Sequence, residues 1–166
     1  VTSLTIVGSY LEVFKEPLKT TNTWDSHSVP TASNGGLIGE INFQPGFSCD
    51  IIDLLFTCNL SSDCDGSTVG LFLMKDDDEF CTSSAQYIRV KNKLASTTLY
   101  YRTMLGAIVN PMTFKLFFSG TVGQTNYCCL PDNDSPFGGC AGYATITEYY
   151  NPPMGESRPL KIMGEK

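Results

Sequence analysis

The chain has very little with which to do chemistry. One histidine, His27, and one tryptophan, Trp24, stand in 166 residues. A Ser-His-Asp or Cys-His site would have to pass through His27. That residue lies in Trp24-Asp25-Ser26-His27-Ser28, a small polar stretch between strand candidates that reads as a surface loop. No Gly-x-Ser-x-Gly nucleophile turn is present. There is no Cys-x-x-Cys either, and the adjacent Cys128 and Cys129 would point to opposite faces of a strand, so a zinc site is not expected. No cofactor is expected. Long apolar runs are missing too: the longest, residues 51–56, is interrupted by Asp53 and falls far short of the roughly 20 residues of a spanning helix. Membrane insertion is therefore not expected. The start, Val1-Thr2-Ser3, has neither the basic residues nor the apolar block of a signal peptide, and without an initiating Met it reads as a processed or excised product.

Positive charge is scarce. Eleven Lys and Arg against 17 Asp and Glu leave a formal charge of −6, and the cations read as scattered. Such a surface repels phosphate backbones and gives little attraction to anionic lipid, so nucleic acid is not an expected partner. Seven cysteines are more than a cytosolic domain usually carries, and their odd number leaves at least one without an intrachain partner. This favours an extracellular or virion-surface setting with some disulfides over reduced, buried thiols. Cys128 or Cys129 with Cys140 is the favoured bridge, with Cys58 and Cys64 second.

What the chain does have is alternation. Hydrophobic residues make up 42%, well away from disorder, in short segments of period two cut by Gly, Pro, Asn, Asp and Ser. Ile52, Leu54, Phe56, Cys58 and Leu60 share one face, opposite Asp53, Thr57 and Asn59. Phe114, Leu116 and Phe118 share another, as do Ile88 with Val90 in residues 87–91, and Leu37 with Ile41 and Phe43. Further strands are predicted near 3–7, 10–14, 68–74, 97–104, 122–128 and 142–149, giving eight to ten. Wet-faced antiparallel sheets alternate in this way; buried parallel sheets do not. The one helical candidate, residues 10–18, is broken by Pro17. No repeat suggests a propeller or solenoid. Residues 1–150 are expected to form one all-β antiparallel sandwich, with 151–166 as an extended tail. Trp24 precedes every cysteine, which argues against an immunoglobulin domain and favours an eight-stranded jelly roll.

A few features remain that could bind something. Asp63-Cys64-Asp65-Gly66 and Asp76-Asp77-Asp78-Glu79 are acidic loops able in principle to ligate calcium, although neither fits the twelve-residue helix-loop-helix pattern. A solvated loop tip explains both. Two flexible acidic loops also lack the fixed carboxylate separation of a glycosidase. Asn59-Leu60-Ser61 and Asn133-Asp134-Ser135 are glycan acceptor tripeptides, and Asn59 is expected to face outward. The pairs Tyr100-Tyr101 and Tyr149-Tyr150 each place one ring away from the core, where it could serve a subunit interface or a sugar platform.

The Gly/Pro-punctuated strands, the closing strand Gly142-Tyr143-Ala144-Thr145-Ile146-Thr147-Glu148-Tyr149 and the tail after it resemble the jelly-roll heads of viral fibres and spikes. Complement-type and tumour-necrosis-factor-like trimeric heads are similar. The resemblance implies a trimer that buries aromatic side chains about a threefold axis, with loops at the far end contacting a host receptor or glycan. No motif transfers a residue role. A non-enzymatic structural or attachment domain is the leading expectation. A monomeric, secreted, carbohydrate-binding module, calcium-dependent or not, comes second and a hydrolase third.

Overall fold

A computed structural model describes residues 5–14, 18–25, 27–121, 123–128 and 142–151. Within them the chain is all-β: ten strands in two antiparallel sheets, packed face to face as a sandwich. The strands are β1 (Thr5–Phe14), β2 (Leu18–Thr20), β3 (Gly36–Phe43), β4 (Ile51–Ser62), β5 (Ser67–Lys75), β6 (Glu79–Ile88), β7 (Ala95–Met104), β8 (Met112–Gly120), β9 (Asn126–Cys128) and β10 (Gly142–Tyr150). One 3-10 turn, Ala32–Asn34, precedes β3.

The first sheet is organised by β4. One edge of β4 pairs with β7 from Ile51 to Leu60. The other edge pairs with β10 from Ile51 to Thr57 and then with β9 from Leu60 to Ser62. Outside these lie β1 on β10 and β2 on β9. The second sheet runs β3-β8-β5-β6. The alternation of β4 puts Ile52, Leu54, Phe56, Cys58 and Leu60 inward, and none is more than 2% exposed. They meet Leu71 and Leu73 of β5 and Phe114, Leu116 and Phe118 of β8 in one core. Burying each such side chain contributes about 1.5–3 kcal/mol.

The structure departs from the alternation reading at four places. The two strands expected at 3–7 and 10–14 are one, β1, with a register shift between Ile6 and Gly8. A second shift between Leu37 and Gly39 turns Leu37 out to 46% exposure and Ile38 in to 9%. A bulge changes the parity of every residue before it, and a period-two pattern does not reveal it. Residues 87–91 are not a strand. The strand there is the polar β6, which ends at Ile88, and Val90 lies 48% exposed on the following turn. Finally, the outer face of the second sheet is covered where Trp24, Phe72, Met74 and Phe117 form a second cluster. The Trp24 ring meets Phe72 edge-on at 5.5 Å, and its Nε1 donates to the Ser28 carbonyl. Gly70 makes room for it, since a Cβ there would stand 2.6 Å from the indole.

Candidate functional site

The outer face of the first sheet carries many of the exposed apolar side chains of the described residues. Four strands present it, and their registers stack its side chains in cross-strand rows. Ile6, Tyr149, Ile51 and Met104 form one row; Ser9, Thr147, Asp53 and Arg102 the next. Leu11, Thr145, Leu55 and Tyr100 form the third, and Val13, Tyr143, Thr57 and Thr98 the fourth. Six large apolar or aromatic residues here are heavily exposed: Ile6 60%, Leu11 59%, Leu55 43%, Tyr100 50%, Met104 67% and Tyr143 53%. Single exposed hydrophobics need no explanation, but six gathered on one sheet face do.

A charged pair sits in the middle of these rows. Arg102 donates from Nε to Asp53 Oδ1 at 2.6 Å and from Nη2 to Oδ2 at 2.7 Å, a two-pronged contact that fixes both groups. Its guanidinium lies 5.8 Å from the centre of the Tyr149 ring. Hydrogen bonds from Arg102 hold the Asp53 carboxyl below its usual range, and the same contact raises Arg102. Desolvation and then Asp53 push the Tyr100 phenol up. The pair is charge-neutral at physiological pH, so it adds direction to the patch without a repulsive net charge.

Of the four tyrosines singled out from the sequence, Tyr100 and Tyr149 stand on this face. Tyr101 points inward, meets Phe114 edge-on at 6.4 Å and packs on the core. Tyr150 is half-buried at the end of β10, on the inward parity. Asn59 is half-buried beyond the fourth row, opposite Ser96. Asn133, Cys129 and Cys140 lie outside the described residues.

The expected Cys58–Cys64 bridge is not formed. Cys58 belongs to the inward set of β4, with its Sγ 3.8 Å from Cys128 Sγ across two buried positions. Cys64 sits on the β4–β5 turn with its thiol on Asp63 Oδ1, and this contact raises its pKa. A disulfide requires about 2.05 Å between sulfurs. Strand parity separates the two residues that a spacing argument paired.

The acidic loops close turns. Asp63 Oδ1 accepts the Thr125 N–H and Asp65 Oδ1 the Lys91 N–H. Asp76 Oδ1 accepts the Thr113 N–H, and Asp78 pairs with Lys115 Nζ at 2.9 Å. Asp76 and Asp78 adopt left-handed backbone (φ 50° and 62°), a conformation short polar side chains tolerate. Among the described residues no three His, Cys, Asp or Glu side chains are grouped as a metal site would require. His27 is exposed on its loop, with Nδ1 3.1 Å from Asp25 Oδ1. That loop, with Thr23, Trp24, Asn34, Thr68 and Thr121, lines an open cleft of about 510 Å³.

Two features were missed by the sequence reading, the first without a sequence signal and the second visible as a close run of cations. Glu148 is buried at the end of β10, where its oxygens accept the Gly46 N–H at 2.9 and 3.0 Å and the Phe47 N–H at 3.1 Å. Burial and the neighbouring Asp50 carboxyl raise its pKa, against the lowering by those two N–H groups. The other is a basic turn. Arg89, Lys91 and Lys93 are clustered on the exposed β6–β7 turn, contrary to the expectation of scattered cations.

No family model and no curated protein matches the chain. Solved structures do. The Eiger TNF of S. frugiperda superposes at a TM-score of 0.50 and 10% identity, covering 93% of this chain and 99% of that one. PorU from Porphyromonas gingivalis gives 0.48 at 10% identity, over 87% of this chain and 13% of that one. VP2 of infectious bursal disease virus, solved as a subviral particle, gives 0.41 at 7%, over 86% and 41%. The chain is thus similar in fold to a TNF jelly roll over 93% of its length. It spans less than half of PorU and of VP2.

Proposed function

We propose that this chain is a non-enzymatic structural or attachment domain that works as a homo-oligomer. The observation that carries the reading is the outer face of the first sheet: four registered rows, six exposed apolar or aromatic side chains and a neutral, fixed Asp53–Arg102 pair. Further copies of this chain suit it, because obligate self-association buries surface of this apolar kind. A trimer is favoured, as the resemblance to trimeric heads implies, and the TNF-like fold supports it only at the level of architecture. The setting proposed is a virion surface or the extracellular space, with end loops contacting a receptor or glycan.

Light scattering on the full chain at tens of micromolar tests the assembly. The expected mass is a small multiple of the chain mass, with three copies favoured. Leu55→Arg combined with Tyr100→Glu should reduce it to one copy while leaving the melting temperature of the monomer nearly unchanged. A wild-type chain that stays monomeric overturns the proposal. The cleft beside Trp24, rimmed by threonine hydroxyls, Asn34 and Asp25, favours a second reading: a monomeric module for neutral saccharides. A monomer that binds an uncharged glycan independently of salt, and loses it on Thr68→Val, would establish that alternative.

A further inference from the structure

We propose that the β6–β7 turn, residues 89–94, is a docking tip for an acidic polysaccharide, one carrying sulfate or carboxylate groups on its sugar rings. The inference rests on the attachment reading and gives it a ligand class. Three of the chain's 11 cations, Arg89, Lys91 and Lys93, fall within five residues of an otherwise acidic protein, and all three are exposed. Lys75, Arg102 and Lys115 each make an ion pair. The three tip cations make none among the described residues. They alternate with Val90, Asn92 and Leu94, so that the charges are interleaved with two apolar side chains and one amide.

The turn is built to hold this arrangement. Asp65 Oδ1 accepts the Lys91 N–H at 2.7 Å, and the Asn92 N–H donates to the Ser62 carbonyl at 2.8 Å. The Lys93 N–H reaches the Val90 carbonyl at 3.3 Å, and Asn92 takes φ 61°. A turn fixed before binding does not have to be ordered by the ligand. Beside it, Tyr87 (66% exposed), Val90 and Leu94 line a shallow groove of about 150 Å³ together with Arg89 and Lys93. Sugar rings offer C–H faces to such a shelf and acidic groups to its rim. Direction in the fold favours a thin polymer over a planar one. A membrane would bring a broad anionic surface against a body of charge −6, whereas a single polysaccharide strand can meet the tip alone. The tip joins the two sheets at one end of the sandwich, off the face proposed for self-association.

The test is binding of the full chain to immobilised heparin at 50 and 300 mM salt, with uncharged dextran and phosphatidylserine vesicles as the other probes. Retention on heparin is expected at low salt, falling steeply at high salt. Arg89→Ser/Lys91→Ser/Lys93→Ser should weaken it at least tenfold, and Tyr87→Ala by a few-fold without changing the salt dependence. Lys19→Ser, which removes one exposed cation elsewhere, should leave it within twofold. Melting temperature and oligomeric mass, measured on the same samples, should match wild type. The proposal is overturned if heparin is not retained, if the triple variant with wild-type mass and melting binds as well as the wild type, or if vesicles are retained and heparin is not. A monomeric wild type that still binds heparin through these residues would sink the assembly reading and leave this one standing.

Discussion

Glu148 shows how a single buried group can set the pH response of a fold. Its carboxylate ties the Gly46 and Phe47 N–H groups to the end of β10, with Asp50, itself buried, against it. Because its folded pKa is raised, chiefly by burial, the folded state holds this proton more tightly than the unfolded chain does. Its contribution is full below the unfolded value of about 4.3 and is lost as pH rises through the folded value. Glu148→Gln keeps a carbonyl oxygen for the two N–H groups and offers an amide to Asp50. The variant is expected to unfold at higher urea than wild type at pH 7, with the difference closing near pH 4. Asp53 has the opposite sign: its pKa is lowered by Arg102, so the exposed pair stabilises above about pH 4 and is lost below. Arg102→Met should then lower the urea midpoint slightly at pH 7 and leave it unchanged at pH 2.

At the scale of the element, the alternating segments were readable because one face was dry and the other wet. For β4 and β8 the inward residues follow directly from the hydrophobic pattern. Where polarity is uniform, as in β6, or where a bulge intervenes, as at Leu37/Gly39, the pattern carries no information. Leu37→Thr and Ile38→Thr distinguish the two registers. The first should change stability by less than about 0.5 kcal/mol, since Leu37 faces out, and the second should cost about 1–3 kcal/mol for a polar group placed in the core. Urea midpoints of the two variants decide it. Trp24 was legible as a lone aromatic in a polar loop, but not as the anchor it is. Trp24→Ala should cost about 3–5 kcal/mol, and Gly70→Ala about 1–3 kcal/mol by crowding the same indole.

For the molecule as a whole, the candidate face could be half-seen in the sequence. Parity places Asp53 on the wet side of β4 and one of Tyr100 and Tyr101 on the wet side of β7, but only the register shows that it is Tyr100 and brings Asp53 beside Arg102 and Leu55 beside Tyr100. Long-range pairing is invisible to a local pattern. The basic tip was hidden for a related reason: a strand drawn through 87–91 absorbed Arg89 and Lys91 as ordinary wet-face residues. Thiols follow the same logic, since Cys58 and Cys128 meet across 70 positions of sequence. Peptide mass mapping of a digest made without reductant should show no peptide linked through Cys58 and Cys64.

The position of β4 has a consequence for biosynthesis. Every neighbour it has in its sheet is made after it, and β1 waits for the same last strand, β10. A nascent chain halted before residue 142 would therefore leave β1 and one edge of β4 unpaired at once, and exposed edges of that kind invite aggregation.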